Sequence, residues 1–328
     1  MEHHKVCVSV VVPIYNTAAY LADCLSSIAF QSFSDFEVWM IDDGSTDQSG
    51  EIAQAFAERD SRFHLLHQEN RGQSGARNAG ILMCSGEYLA FVDSDDRVDF
   101  NYLLRLYETA KKEEADIVCC NFSQYFPRSG RLKRCLIQKP AGVYNGISAT
   151  RSLVHDVLLR SYVWNKLWRR RLFTDHNIRF LPMRYEDMVI GPQLFSFASR
   201  VVVIPDVLYY YTQRWGSLSL QVDEAGLNDY VRTYGLERCF FEEQGLYGQY
   251  KSSLRFLKYK TYPFTFGWLV LLQLKKRQLR TLPRNWKRMA DFYAYFSADH
   301  PIELSTSDLL IQEPVCQIVA EKERRIVV

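Results

Sequence analysis

Three carboxylates fall within four residues in the stretch Phe91-Val92-Asp93-Ser94-Asp95-Asp96. An apolar run, Tyr88 to Val92, delivers them. Carboxylate oxygens are hard ligands for Mg²⁺ or Mn²⁺. A cation held by only one or two protein carboxylates keeps coordination positions open, and phosphate oxygens suit those positions. The same residues also suit a plain acidic turn after a strand, since Asp and Ser favour turns. The surroundings must decide between the two.

Other polar clusters also follow apolar runs. Residues 7–15 read as a strand ending at Tyr15-Asn16. Such a nearly continuous β-branched run predicts a strand covered on both faces, as in a parallel sheet. Leu21, Cys24, Leu25 and Ile28 then recur at helical spacing. Residues 36–41 read as a second strand, ending in Asp42-Asp43-Gly44-Ser45-Thr46-Asp47. Gly44 permits a tight turn, and Ser45-x-x-Gln48 predicts a capping box at the next helix. After a third strand over 63–67, residues 70–80 form a glycine-punctuated loop running into a helix. Helix N-termini favour anions, although this spacing is neither a P-loop nor a Rossmann fingerprint. Residues 88–92 and 116–122 supply further strands, separated by the helical face Leu103, Leu106, Tyr107 and Ala110.

This alternation predicts an α/β fold with a doubly wound, mostly parallel sheet. Ligands on such sheets bind outside the carboxyl ends of the strands. Tyr15-Asn16, Asp42-Asp43 and Asp93 to Asp96 all fall at such ends.

Read in order, the motifs resemble family 2 glycosyltransferases. They are Pro13-Ile14-Tyr15-Asn16, Asp42 to Asp47, Asn70-x-Gly72 with Ala76-Arg77-Asn78-x-Gly80, and Asp93-Ser94-Asp95-Asp96. The likeness extends to Asn165 through Arg170, to Glu186-Asp187, and to Tyr210-Tyr211 with Arg214 and Ser217. It implies the GT-A fold, a nucleotide-sugar donor and inversion at the anomeric carbon. A catalytic domain over 1–220 is expected, with a nucleotide-sugar-binding half over 1–120 and an acceptor half over 121–220. A mainly helical region over 221–328 follows.

The resemblance also implies roles. Pro13 and Tyr15 flank the nucleobase, with Asn16 in the same motif. Asp43 accepts the imide N–H of uracil, which makes UDP the expected nucleotide. A carboxylate acceptor suits that donor. Asn70 and Arg77 face the base, ribose or diphosphate. Asp93 and Asp95 form a D-x-D signature around Ser94. Asp95 contacts Mn²⁺ or Mg²⁺, while Asp93 lies nearer the ribose or donor sugar. Asp187 is the implied catalytic base, with Glu186 as an orienting partner. The stretch 214–219 reads as a lid whose Arg214 clamps the diphosphate bidentately.

Each role has a plainer competitor. Asp42 and Asp43 also cap a turn. Arg77 also suits pairing with a carboxylate on the surface, and Asn78 and Gly80 suit backbone packing. Glu186 and Asp187 open a helix over 189–198, where the dipole favours any carboxylate. Asn165 to Trp168 either line the acceptor side or support the sheet, and Lys166 with Arg169 to Arg171 also reads as a solvated helix end. For the whole chain, two other classes compete. A sugar nucleotidyltransferase wants a glycine-rich basic loop after the first strand, where Pro13-Ile14-Tyr15-Asn16 stands. A non-catalytic nucleotide-binding subunit of a membrane polysaccharide-synthesis complex leaves the acidic motifs unexplained.

Composition bounds the partners. The chain has 328 residues, 47% hydrophobic and 24% charged, which fits a globular protein. A net charge of +2 gives no argument for nucleic acid. The eight cysteines contain no C-x-x-C pair. The first residues lead into no signal-peptide pattern, so a cytoplasmic location is expected. The acceptor class is a saccharide or a lipid-linked saccharide. Beyond residue 220, Leu254, Leu257, Tyr259, Phe264, Phe266 and Trp268 precede a basic run from Lys275 to Arg288. That pattern suits either an interfacial helix, peripheral on the inner face of an anionic membrane, or an ordinary helical subdomain.

Overall fold

The computed structural model describes residues 6–135, 140–155, 159–214, 223–276 and 282–295. The chain divides into two compact units, Met1–Leu153 with Val157–Trp215, and Val154–Asp156 with Gly216–Val328.

The first unit is built on one sheet. Its first half comprises β1 (Val8–Ile14), α1 (Ala18–Ala29), β2 (Phe36–Asp42), α2 (Ser49–Arg59), β3 (Phe63–His67), α3 (Gly72–Met83) and β4 (Tyr88–Phe91). β1 pairs in parallel with β2 on one side and β4 on the other, and β3 adds outside β2. All seven residues of β1 are buried. Successive side chains in a strand point to opposite faces, and here they feed two cores. Val8, Val10, Val12 and Ile14 join one cluster with Leu21, Cys24, Leu25 and Ile28 of α1. Val11 joins the other, with Ala76 and Ile81 of α3. The closest approach is at Gly80, where an added Cβ would lie 2.4 Å from Val11 Cγ1. Only a residue without a side chain lets α3 seat this deeply on β1.

The second half is mixed. β5 (Arg97–Val98), α4 (Tyr102–Lys112), β6 (Ile117–Phe126), β7 (Arg131–Cys135), β8 (Gly142–Asn145) and α5 (Gly146–Val154) come first. β9 (Lys166–Arg169), α6 (Arg171–Thr174), α7 (Glu186–Phe197) and β10 (Arg200–Thr212) follow. The strand order is β3-β2-β1-β4-β9-β6-β10-β5. β9 runs antiparallel to both β4 and β6, so it reverses the sheet in the middle. β6 and β10 return to parallel pairing, while β5, β7 and β8 add antiparallel edges. This is a doubly wound sheet with a mixed second half.

Local starts differ from the sequence pattern in two places. The Ser45-x-x-Gln48 capping box does not form: α2 begins at Ser49, with no side-chain cap from Gln48. Asp47 takes the work instead, its carboxylate accepting from Ser49 N at 3.0 Å and from Ala18 N at 3.0 Å. α7 begins at Glu186, a turn earlier than its apolar periodicity, because Tyr185 adopts φ 60° and breaks the chain there.

The second unit is helical: α8 (Glu224–Glu243), α9 (Tyr247–Lys275) and α10 (Leu282–Tyr295). Asp223 caps α8 by accepting from Gly226 N at 2.8 Å. Among the described residues, no helix is long and apolar enough to cross a membrane.

Candidate active site

The acidic stretch leaves the carboxyl end of β4, and its carboxylates separate into different tasks. Asp96 is fully buried. Its Oδ2 accepts from the Tyr209 hydroxyl at 2.7 Å and its Oδ1 from Thr212 N at 2.7 Å. Burial, reinforced by Asp95 and Asp93, holds the Asp96 carboxyl well above the usual range. It is an anchor that ties the loop to β10. The Tyr209 hydroxyl in turn accepts from Asp93 N at 3.2 Å. Ser94 is also buried, its Oγ accepting from Thr17 Oγ1 at 3.0 Å. Asp93 and Asp95 keep partial exposure.

Asp93 meets α3. Arg77 donates through Nη2 to Asp93 Oδ1 at 2.7 Å and through Nη1 to Glu186 Oε1 at 2.5 Å. Gln73 Nε2 adds a donor to the same Asp93 oxygen at 3.1 Å. Arg77 is only 2% exposed. Burial opposes its charge, yet the Asp93 and Glu186 carboxylates outweigh that, and the nearby Asp187 adds to them, so the guanidinium is held even more firmly protonated than usual. The arginine pairs with carboxylates in the interior, not on the surface. Two neighbours on α3 brace the same approach. Ser74 Oγ donates to Leu181 O at 2.6 Å, and Asn78 exchanges bonds of 2.8 and 2.9 Å with the Phe180 backbone. The helix after the glycine-punctuated loop therefore joins the acidic stretch to the start of α7.

Asp187 stands in the first turn of α7, half-buried, with Oδ1 accepting from Met188 N at 2.9 Å. Tyr185, just before the pair, occupies the left-handed region. A bulky residue there is uncommon and costs about 1–3 kcal/mol. The strain lets Glu186 and Asp187 leave the chain together at the helix start.

The ends of β1 and β2 form the other side. Tyr15 is exposed beyond Pro13 and Ile14. Asn16, at φ 51°, accepts from Thr46 N at 2.8 Å and so fastens the loop after β1 to the loop after β2. Asp42 caps its turn, accepting from Ser45 N at 3.0 Å and facing His67 Nδ1 at 2.9 Å. Asp43 is buried, and its Oδ1 accepts from Gln68 Nε2 at 2.6 Å and Arg71 N at 2.8 Å. Asn70 is exposed and its Oδ1 accepts from Gly72 N at 3.3 Å.

Arg214 follows β10 and pairs through Nε with Asp95 Oδ2 at 2.5 Å, its guanidinium 5.9 Å from the Tyr20 ring centre. Burial holds the Asp95 carboxyl above the usual range, with Arg214 pulling it down and Asp93 pushing it further up. The remainder of the expected lid, 215–219, lies outside the described residues. Among the described residues, no cluster of three or more His, Cys, Asp or Glu side chains is arranged to hold a metal. Asp93 and Asp95 still fit a cation that takes most of its ligands from phosphate and water. Their mutual repulsion is what such a cation relieves.

Lys166 and the arginines after it turn out to be structural. Lys166 is buried and donates to Arg160 O, Tyr162 O and Asn165 Oδ1 at 2.5–2.8 Å. Asn165 Nδ2 donates to Cys120 O at 2.9 Å, so this segment supports the sheet. Arg169 pairs with Glu87 and Asp116, and Arg171 with Asp116. Gln73, Gln68, Thr17 and Tyr209 carry no motif that singles them out in the sequence, yet each holds a residue of the site.

A doubly wound sheet with a mixed second half and helices on both faces is the architecture of the GT-A fold. The model of the family described as "Glycosyl transferase family 2" matches residues 9–174, and the chain belongs to that family. EpsJ of Bacillus subtilis (strain 168), an uncharacterized glycosyltransferase, is 35% identical over 257 residues, 75% of this chain and 73% of that protein. The cholesterol galactosyltransferase of Borreliella burgdorferi is 34% identical over 260 residues, with 75% and 73% covered. The crystal structure of S. aureus TarS 1–349 in complex with UDP-GlcNAc matches with a TM-score of 0.71 at 22% identity, covering 89% of this chain and 82% of that one. The protein is thus an enzyme, and the nucleotidyltransferase and non-catalytic readings give way.

Proposed function

We propose that the enzyme moves a sugar from a UDP-sugar to a hydroxyl of a saccharide or lipid-linked saccharide, with inversion and with a divalent cation. The observation that carries this reading is the Arg77 bridge. It brings Asp93 of the D-x-D stretch to Glu186, the residue beside the implied base. Asp43 supports uracil as the base: its Oδ1 is taken by Gln68 and Arg71, which leaves Oδ2 to accept the imide N–H. UDP-GlcNAc and UDP in TarS, and Mn²⁺ in two other proteins of similar fold, support the donor class and the cation.

The reaction is one displacement. The bond from the anomeric carbon to the diphosphate oxygen breaks as the bond to the acceptor oxygen forms. Asp187 takes the acceptor's hydroxyl proton as general base, and UDP leaves with the bonding electrons. Asp95, with Asp93, would hold the cation, which when bound neutralises charge on the leaving diphosphate. Arg214 passes from Asp95 to the diphosphate when donor enters. Glu186 orients the base's helix through Arg77. The fixed register of the two carboxylate stations supplies proximity. In this reading donor binding falls to 1–120, acceptor binding to 121–220, and membrane or partner association to the mainly helical region 221–328.

A panel of nucleotide sugars incubated with the full chain and Mn²⁺ tests this reading through nucleotide release. Release from a UDP-sugar, lost in Asp95→Asn, is the expected result. Equal release by Asp95→Asn and Asp187→Asn alongside wild type would remove the assignment.

A further inference from the structure

Helix α9 buries one face against α8 and α10, through residues such as Leu254, Leu257, Trp268 and Leu272. Its opposite face is also apolar. Tyr259 is 75% exposed, Phe264 57% and Leu271 54%, and Phe256 and Leu274 are exposed as well. Phe256, Tyr259, Pro263, Gly267, Leu271 and Leu274 advance by three or four residues each, one stripe of a helix, and Phe264 flanks it beside Pro263. From Phe256 to Leu274 it runs about 27 Å at 1.5 Å per residue. Isolated exposed hydrophobes need no explanation, but a contiguous apolar stripe marks an interaction surface.

Charge selects the partner. None of the 29 residues of α9 is Asp or Glu, while Lys251, Arg255, Lys258, Lys260 and Lys275 are basic. Arg255 and Lys275 are exposed beside the two ends of the stripe, and Arg284 and Lys287 are exposed on α10. The apolar stripe contains aromatic side chains, is bounded by cations, and lies on a helix unable to span a bilayer. These are the properties of a helix lying in the plane of a membrane interface. Lysine and arginine beside such a face add attraction to anionic headgroups. From this we infer that the exposed face of α9 docks on a bilayer carrying anionic lipid. None of the stripe's residues is assigned a part in the proposed chemistry.

The test is co-sedimentation of the full chain with phosphatidylcholine vesicles, with and without phosphatidylglycerol. The partner variant is Tyr259→Ser, Phe264→Ser and Leu271→Ser combined. Because all three side chains are exposed, a wild-type melting temperature and wild-type nucleotide release serve as fold controls. Wild type is expected to pellet with the phosphatidylglycerol vesicles, less so as salt rises. The triple variant should partition at least about tenfold more weakly. No partition by wild type, or equal partition by the variant, overturns the assignment. So does a wild-type dimer by light scattering that the variant abolishes without any vesicle binding, since a second copy would then cover the stripe. Binding that emerges only after removal of 296–328 likewise gives the stripe to the chain's own C-terminal segment.

Discussion

Asp93 and Glu186 grip opposite terminal nitrogens of one buried guanidinium, that of Arg77, at 2.7 and 2.5 Å. One carboxylate follows β4 and the other opens α7, so the ion triad fixes the spacing between two distant chain segments. Removing the cation leaves two carboxylates facing each other in the interior. Arg77→Met should destabilise the protein by about 3–5 kcal/mol, the cost of breaking a buried pair. Arg77→Lys keeps the charge but cannot fork to both partners. It should retain most of that stability while lowering kcat. Urea unfolding and steady-state kinetics on both variants separate the two effects; equal loss of stability in both would mean that the fork, not the charge alone, holds the two segments together.

Asp187→Asn should lower kcat by about 10²–10⁴-fold, the usual contribution of a general base. Donor affinity should stay near wild type, because the amide keeps the helix-start bond to Met188 N. Isothermal titration with UDP beside turnover measurements checks this. A tenfold loss of UDP affinity would place Asp187 in donor binding instead.

Glu37 predicts acid sensitivity. Its Oε1 accepts from Ser9 Oγ at 2.6 Å and from Ser85 N at 2.7 Å. Burial alone would raise its pKa, but the Ser9 and Ser85 donors outweigh it and hold the carboxyl below its ordinary value of 4.5. A carboxyl with a depressed folded-state pKa contributes stability above its unfolded value, and that contribution is lost as pH falls through the folded value. Wild type should therefore lose stability below about pH 4.5, and Glu37→Gln should show a shallower fall. Urea midpoints from pH 7 to pH 3 for both proteins measure the slopes.

Gly80→Ala places a Cβ against Val11, a contact too short to keep. The substitution should cost about 1–3 kcal/mol by overpacking. Adding Val11→Ala should recover part of that loss, a positive coupling that thermal melts of the four-protein cycle detect. Strict additivity would mean that α3 moves away without touching β1.

The first half of the sheet was legible in the sequence because each strand declares itself locally. The β-branched run over 7–15 declared β1, residues 36–41 read as β2, and the spacing of Leu21, Cys24, Leu25 and Ile28 matched the buried face of α1. The polar residues after β1, β2 and β4 could be placed at strand ends for the same reason. What stayed hidden was long-range. Nothing near Arg77 announces a partner 109 residues away, and nothing near Asp96 announces Tyr209 and Thr212. Three adjacent carboxylates look alike in sequence; burial by β10 is what turns Asp96 inward. The short antiparallel β9 was missed because four residues, Lys166–Arg169, show too little alternation to reveal direction.

The strand order also dictates a sequence of construction. β3, β2, β1 and β4 are contiguous in the chain and can pair while synthesis continues, since nascent chains fold from the N-terminal side. Tyr209 and Thr212, which moor the acidic loop, emerge from the ribosome more than a hundred residues after it. Until β10 docks, the loop hangs from a half-built sheet without its mooring. Completion of the proposed donor site would therefore be a late event in the birth of the molecule.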